Sequence, residues 1–175
     1  MTQMQKFTLR DFASTIAEVE SRPNTEKVFN QLKGLSARGL LGPIPDYYGV
    51  KGALLFPKIE LFWARVFMAA IDMGLSSDNL AKLASDLREK DVMRYAIDDL
   101  ATPKPDNWLV EITWTRVPGE EAPSVYGNWV RGEHRFRPGA DPLAADSYSV
   151  AGVVEGALSI SFTAIALPLL RRFEA

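Results

Sequence analysis

The sequence contains no cysteine and one histidine, His134. Without cysteine the chain has no disulfide framework, thiol sensor, iron–sulfur site or cysteine-based zinc site. It also has no Walker loop, no GxSxG motif and no dinucleotide-binding glycine pattern. Its paired carboxylates are adjacent in sequence, so they point in different directions and do not suggest a catalytic dyad. We therefore expect that the protein is not an enzyme, and we expect neither a metal site nor a cofactor.

Long apolar runs and a strong charge of one sign are missing as well. No apolar run reaches the ~20 residues that span a bilayer, and no signal peptide precedes the first predicted helix, so we expect a cytoplasmic protein without a membrane partner. The net charge of −2 gives no overall attraction to nucleic acid. A basic excess is local to residues 22–51, which contain five cations and two carboxylates. The cations are Arg22, Lys27, Lys33, Arg38 and Lys51, and the carboxylates are Glu26 and Asp46.

Apolar residues make up 47% of the 175 residues, enough for a buried core in one domain or two small ones. Apolar positions recur at helical spacing through the first hundred residues and alternate with a period of two after residue 107. Prolines at 103 and 105 separate the two patterns. The sequence therefore predicts an α+β fold, with a mostly helical domain over residues 1–101 and a small β-rich domain over residues 106–175.

The first two predicted helices have clear start signals. Thr8 and Asp11 have the spacing of a capping box at the first helix. Asn24 or Thr25 caps the second helix, whose apolar stripe recurs at i, i+4 and i+7. The stripe consists of Val28, Leu32 and Leu35. Further helices are predicted over residues 57–73, 77–90 and 91–100.

The pattern after the linker predicts strands over residues 108–115, 124–131 and 157–166, with Pro168 closing the last strand. Residues 132–146 are rich in glycine, proline and charge and predict a loop. The aromatic residues of this half are interpreted mainly as the core of a thin sheet, and an effector pocket is left open. They are Trp108, Trp114, Tyr126, Trp129, Phe136 and Tyr148.

Three phrases stand in a fixed order between residues 37 and 76. They are ARGLLGP at 37–43, YYGVKGALLFP at 47–57 and DMGLS at 72–76. They predict a helix exit into a turn, a short hairpin with Lys51 near its tip, and a helix end capped by Gly74. This order resembles the winged helix-turn-helix of MerR-type bacterial transcription regulators, over roughly the first hundred residues. In that family a recognition helix exits through a GLL-P phrase, and a two-stranded wing, a helix and a "lGfs" turn follow.

The resemblance implies that the second helix enters a major groove and that the hairpin holds the flanking backbone or minor groove. Alternatively, the polar side of this helix is an ordinary solvated face, because such faces have the same residue types. The order of the neighbouring elements favours the DNA-binding interpretation. Lys33 stands where the family has a phosphate-contacting arginine, and Leu54 stands where its wing has an arginine. The candidate DNA-binding residues are Arg22, Thr25, Lys27, Asn30, Gln31, Lys33, Arg38, Tyr47, Tyr48 and Lys51.

The expected function is a sequence-specific, double-stranded-DNA-binding transcription regulator, which the resemblance implies is a homodimer on an inverted repeat. RNA polymerase and a small-molecule effector are left open as further partners. The prolines at 103 and 105 exclude the family's long coiled coil at its usual place, so the candidate dimer surface is the edge of residues 157–166 or the face with Leu158, Ile160 and Phe162. Two alternatives remain: a phage or mobile-element DNA-architecture protein of the excisionase type, and a protein-interaction module that has lost DNA binding.

Overall fold

The computed structural model describes residues 5–45, 48–89, 91–132 and 153–174. Helices and small antiparallel sheets both occur, which confirms the α+β class. In chain order the elements are β1 (Lys6–Phe7), α1 (Leu9–Val19), α2 (Thr25–Ala37), a 3-10 turn (Val50–Gly52), β2 (Phe56–Pro57), α3 (Ile59–Asp72), α4 (Ser77–Arg88), α5 (Val92–Leu100), β3 (Trp108–Arg116), β4 (Ser124–Arg131), β5 (Val153–Ser161) and α6 (Phe162–Glu174).

The chain divides into two compact units. The first unit consists of Met1–Leu75 and Ala164–Ala175, and the second of Ser76–Thr163. The division therefore falls between α3 and α4, whereas the sequence predicts a boundary near residues 102–105. It also places most of α6 with the N-terminal helices, although α6 follows the sheet in the chain.

Helices α1 and α2 of the first unit begin at the predicted caps. The Thr8 hydroxyl accepts the Asp11 N–H at 3.2 Å, and the Asp11 carboxylate accepts the Thr8 N–H at 2.7 Å, which completes the capping box. The Asn24 side chain accepts the Lys27 N–H at 2.9 Å. The predicted stripe of α2 is buried.

Both α1 and α2 end in the same way. At the end of α2 the Gly39 N–H donates to Ser36 O, and the Leu40 N–H donates to Leu35 O, with Gly39 at φ +71°. These two bonds form a Schellman motif, which needs a residue in the left-handed region. The equivalent residue after α1 is Ser21, at φ +52°. The predicted exit of the second helix into a turn is therefore confirmed.

The short hairpin predicted over residues 47–57 is present only in a minimal form. Tyr48 and Leu54 form one isolated antiparallel bridge, and a 3-10 turn fills the space between them. Phe56 pairs with Phe7 of β1 instead. Because this pairing keeps Pro57 in an extended strand, α3 begins at Ile59 and Pro57 is not in its first turn. Tyr47 lies outside the described residues.

The second unit contains an antiparallel sheet with the described order β4-β3-β5. The strands predicted over residues 108–115 and 124–131 are confirmed. Gly127 of β4 lies against α4, where a Cβ would overlap Leu83 Cδ1 and lie 3.2 Å from Leu87 Cγ. Glycine therefore allows α4 to approach the strand closely.

The last predicted strand is wrong at both ends. Strand β5 begins at Val153 and ends at Ser161, and Phe162 begins a helix that contains Pro168. The apolar residues of α6 are buried at helical spacing, namely Phe162, Ala166, Leu169 and Leu170. Because Ile160 and Phe162 are both buried within the chain, they are not available as a dimer face. The predicted loop over 132–146 falls mostly outside the described residues, as do His134, Phe136 and Tyr148.

Candidate nucleic-acid interface

Helix α2 and its C-cap contain six of the ten predicted contact residues. Val28, Leu32 and Leu35 are buried, so the helix has one side in the core of the first unit. Lys27, Asn30 and Lys33 are exposed on the side opposite this stripe, whereas Thr25 is exposed at the start of the helix, on the same side as Val28 and Leu32. From Thr25 to Arg38 the helix and its C-cap contain three cations and one carboxylate. This side therefore offers an amide and several cations, which are groups that contact base edges and phosphates.

Arg10 belongs to this surface, although sequence reasoning missed it. Its guanidinium carbon lies 4.4 Å from the centroid of the Phe29 ring, and Lys33 Nζ lies 5.8 Å from the same centroid. Arg10 Nη1 also lies 2.7 Å from Glu26 Oε1. The only carboxylate of α2 is therefore paired with a cation from α1. Arg10 and Glu26 are 16 residues apart, so no spacing along one helix indicates their contact.

Arg22 has a different environment from the one expected of a DNA contact. Its Nε donates to Glu20 Oε2 at 2.6 Å, and its Nη2 lies 4.0 Å from Asp72 Oδ2. The other oxygen of Glu20 accepts from Arg65 Nε. Arg22 is thus held in the turn between α1 and α2, where it ties the turn to α3.

Gln31 and Arg38 occupy the margins of the α2 surface. Gln31 is half-buried, and within the described part of the chain its Oε1 is buried without a hydrogen-bond partner. Arg38 is the C-cap residue of α2 and is exposed. A Cβ on Gly34 would lie 3.4 Å from Arg38 Nη2, so the guanidinium lies back along the helix. Arg38 therefore adds a cation to the C-terminal half of the surface.

The loop after α2 contains the remaining predicted residues. Lys51 is exposed in the left-handed conformation, at φ +59° and ψ +29°. Tyr48 is 65% exposed at the base of the loop. The segment from Tyr48 to Lys58 contains two lysines and no carboxylate. The loop therefore adds the exposed cation Lys51 to the first unit.

Among the described residues, the groups with a clearly shifted pKa lie in the second unit. The pKa of Asp99 is lowered, first by a hydrogen bond from Trp108 Nε1 at 2.8 Å, then by the Asp106 N–H and by Arg131. Burial on the central strand raises the pKa of Glu111. Trp129 donates its Nε1–H to Leu87 O at 3.2 Å, and its ring packs edge-on against Phe162 at 5.0 Å. Trp108 and Trp129 therefore have structural contacts in this unit, as the core interpretation expects.

Comparisons with known proteins find no matching family model and no matching curated protein. In the part of the chain that the structure describes, no helix has both the length and the apolar character needed to cross a membrane. The same residues contain no cluster of three or more histidine, aspartate or glutamate side chains suited to a metal ion.

Proposed function

We propose that the protein is a sequence-specific, double-stranded-DNA-binding transcription regulator of the MerR-like winged type. The exposed side of α2 supports the proposal best, because it places Lys27, Asn30 and Lys33 together opposite the buried stripe of the helix. A second observation supports it: the short turn from Glu20 to Asn24 joins α1 to α2, and Arg22 and Glu20 tie this turn to α3.

In this proposal α2 lies in the major groove. Its 13 residues span about 20 Å at the usual helical rise, and the major groove of B-DNA is ~12 Å wide and admits a helix. Asn30, in the middle of the exposed side, pairs with an adenine edge. Lys27, Lys33 and Arg38 contact phosphates, and Arg10 adds a further cation from α1.

The regulator works as a homodimer on an inverted repeat, with recognition helices about 34 Å, or a multiple of it, apart. The sequence predicts two candidate dimer surfaces, and the face with Ile160 and Phe162 is excluded because both side chains are buried. The other candidate, the sheet edge, corresponds to the outer edge of β5. Among the described strands β5 pairs only with β3, and Val153 is 68% exposed. An edge strand with free backbone groups pairs readily with another chain.

The test is DNA selection from a random duplex library with the full-length protein, followed by titration of the selected duplex and sedimentation of the complex. The proposal expects an enriched inverted repeat bound at least about 1,000-fold more tightly than random DNA, with two copies of the chain per duplex. A single copy on a site without a repeat would instead favour the DNA-architecture function.

A protein-interaction module is the second candidate, and one observation favours it. Tyr48, Val50 and Leu54 are 65%, 86% and 43% exposed on a single loop, and exposed apolar clusters often mark protein interfaces. If selection enriches no duplex and the protein binds random DNA no better at low salt than at high salt, this candidate replaces the proposed regulator.

A further inference from the structure

Glu26 is the only carboxylate of α2, and Arg10 of α1 determines its position. Arg10 Nη1 lies 2.7 Å from Glu26 Oε1, and the guanidinium carbon lies 4.4 Å from the centroid of the Phe29 ring. Because Phe29 is half-buried, its ring is a fixed support for the guanidinium. Arg10 is therefore held by a ring and by a carboxylate, and the carboxylate has a defined position on the surface.

Glu26 lies on the same exposed stripe of α2 as Asn30 and Lys33. The three residues recur at i, i+4 and i+7, so their side chains lie on one side of the helix, away from Val28 and Leu32. The Glu26 side chain is 63% exposed, so a ligand that approaches the stripe can contact it. A major groove that receives Asn30 therefore also receives the Glu26 carboxylate.

A carboxylate on a DNA-facing stripe opposes binding unless a base compensates it, because the DNA backbone is anionic. Stability does not account for the contact with Arg10, since exposed ion pairs contribute little. A carboxylate in the first turn also favours a helix through the helix dipole, but that effect does not require Arg10.

The base edges of the major groove differ in what they offer a carboxylate. Cytosine presents its N4 amino group, which donates to carboxylates, whereas guanine presents two acceptors and thymine an acceptor and a methyl group. A carboxylate is thus favourable opposite cytosine and unfavourable opposite guanine or thymine.

We propose that Glu26 reads a cytosine in the major groove, with Oε2 accepting from the N4 amino group while Arg10 holds Oε1. This inference rests on the proposed DNA-binding function and adds a base preference to it. Arg10 is a positioning residue here, because it acts on the base only through Glu26. Glu26 and Asn30 are about 6 Å apart along the helix, and successive bases of one strand are about 3.4 Å apart. The cytosine therefore lies about two base pairs from the adenine that Asn30 contacts.

The test uses the duplex that the full-length protein selects. Selection should enrich a C·G pair about two pairs from the A·T pair whose preference is lost in Asn30→Ala. Two altered duplexes then replace this cytosine by thymine, in a T·A pair, or by N4-methylcytosine. The N4-methyl group keeps the Watson–Crick pairing and removes the N–H donor from the major groove. The wild-type protein should bind both altered duplexes at least about fivefold more weakly than the cytosine duplex.

Variants then assign this preference to Glu26 and Arg10. Glu26→Ala should bind the cytosine duplex at least about fivefold more weakly and bind all three duplexes within about twofold of one another. It should bind random DNA at least as tightly as the wild type, because a negative charge is removed. Arg10→Ala should reduce the cytosine preference in part, and it should cause no further reduction in the Glu26→Ala background.

Glu18→Ala is the matched control for Glu26→Ala. Glu18 is also exposed, at 60%, and also contacts an arginine of the first unit, at 3.1 Å from Arg172 Nε. The two variants therefore have the same change of charge, and Glu18→Ala should keep the cytosine preference. The melting temperature of each variant shows that it is folded.

Four results would overturn the inference. The first is the absence of an enriched C·G pair at the expected distance, and the second is an equal affinity of the wild type for the cytosine and N4-methylcytosine duplexes. The third is an undiminished preference in folded Glu26→Ala. The fourth is tighter binding of Glu26→Ala to all duplexes by one factor, which is the result expected of a carboxylate that only repels phosphates.

Two further outcomes separate the parts of the account. An undiminished cytosine preference in folded Arg10→Ala would overturn the positioning role of Arg10. In each of these cases, a specific loss of binding in Asn30→Ala would keep the proposed regulator intact, whereas failure to select any duplex would overturn the regulator itself.

Discussion

Arg22 Nε donates to Glu20 Oε2 at 2.6 Å, across the turn that joins α1 to α2. The other carboxylate oxygen of Glu20 accepts from Arg65 Nε of α3, whose side chain is only 9% exposed. One carboxylate thus holds two cations and sets the position of the turn against α3. Arg22 therefore acts in the fold, by positioning α2.

Glu20→Gln should destabilise the protein more than Arg22→Ala does. Glu20→Gln removes the carboxylate that pairs with the buried Arg65. The Nη1 atom of Arg65 already has no hydrogen-bond partner among the described residues. We expect a loss of about 1.5–3 kcal/mol of unfolding free energy for Glu20→Gln. Arg22→Ala should cost at most about 1 kcal/mol, because the side chain is partly solvated. Urea unfolding measures both, and equal losses would contradict this role of Glu20.

Gly127→Ala should destabilise the second unit. The added methyl group would overlap Leu83 and approach Leu87, so α4 must move from β4. Overpacking of this kind costs about 1–3 kcal/mol. Gly156→Ala on β5 is the matched control, because a Cβ there meets only Trp114 Cε3, at 4.0 Å. Thermal unfolding should show a lower melting temperature for Gly127→Ala alone.

Lys51→Gly should separate stability from binding. Lys51 has φ +59° in the left-handed region, which glycine adopts without a steric penalty. The variant should therefore unfold with the same free energy or with up to about 1 kcal/mol more. It should also bind the selected duplex more weakly, with a salt dependence lower by about one phosphate. An unfolded variant would mean that the lysine side chain supports the loop.

Glu111 and Asp99 should give opposite pH dependences of stability. Burial raises the pKa of Glu111 in the folded state, so its ionisation opposes folding above its unfolded pKa of about 4.3. Glu111→Gln should thus stabilise the protein at pH 7, and the gain should disappear below about pH 4. The hydrogen bond from Trp108 lowers the pKa of Asp99 in the folded state, so its stabilisation is present above the unfolded pKa and is lost as the pH falls through the folded pKa. Asp99→Asn should therefore destabilise the protein at pH 7 and less so in acid, which denaturation at several pH values measures.

Phe173→Ala should destabilise the first unit, although Phe173 is near the end of the chain. Its ring centroid lies 5.6 Å from that of Phe7, and Lys58 Nζ lies 4.2 Å from it. We expect a loss of about 1–3 kcal/mol, in proportion to the apolar area exposed. An unchanged unfolding free energy would show that α6 is dispensable for the first unit.

Local signals in the sequence predict much of this fold. The capping box of Thr8 and Asp11 and the stripe of α2 depend on residues close in sequence, and the structure has both. The alternating pattern also predicts the strand β3, although burial does not alternate along it, because Leu109 and Thr115 on its other face are buried too. Long-range pairing is what the sequence does not indicate. The pairing of Phe7 with Phe56 and the contact of Glu20 with Arg65 join residues more than 40 positions apart.

The last part of the chain shows why patterns can mislead. Phe162 continues the alternation of Leu158 and Ile160, so it resembles the end of a strand. It also begins the buried helical series that Ala166 and Leu169 continue. Both patterns share Phe162, and only tertiary packing decides between them. Likewise, Arg22 is a candidate DNA contact in the sequence because it lies in the basic stretch of residues 22–51. Arg10 lies outside that stretch, so no sequence pattern indicates that it should be included.

Titration of the selected duplex with Asn30→Ala and Lys33→Ala, at several salt concentrations, tests the central proposal most directly. Asn30→Ala should weaken binding to the selected duplex by about 1–3 kcal/mol and leave binding to random DNA unchanged. Lys33→Ala should weaken binding to all duplexes alike and lower the salt dependence by about one phosphate. Lys104→Ala, an exposed lysine of the second unit, is the control and should behave as the wild type. Wild-type affinity and salt dependence in both α2 variants would contradict the assignment of α2 as the recognition helix.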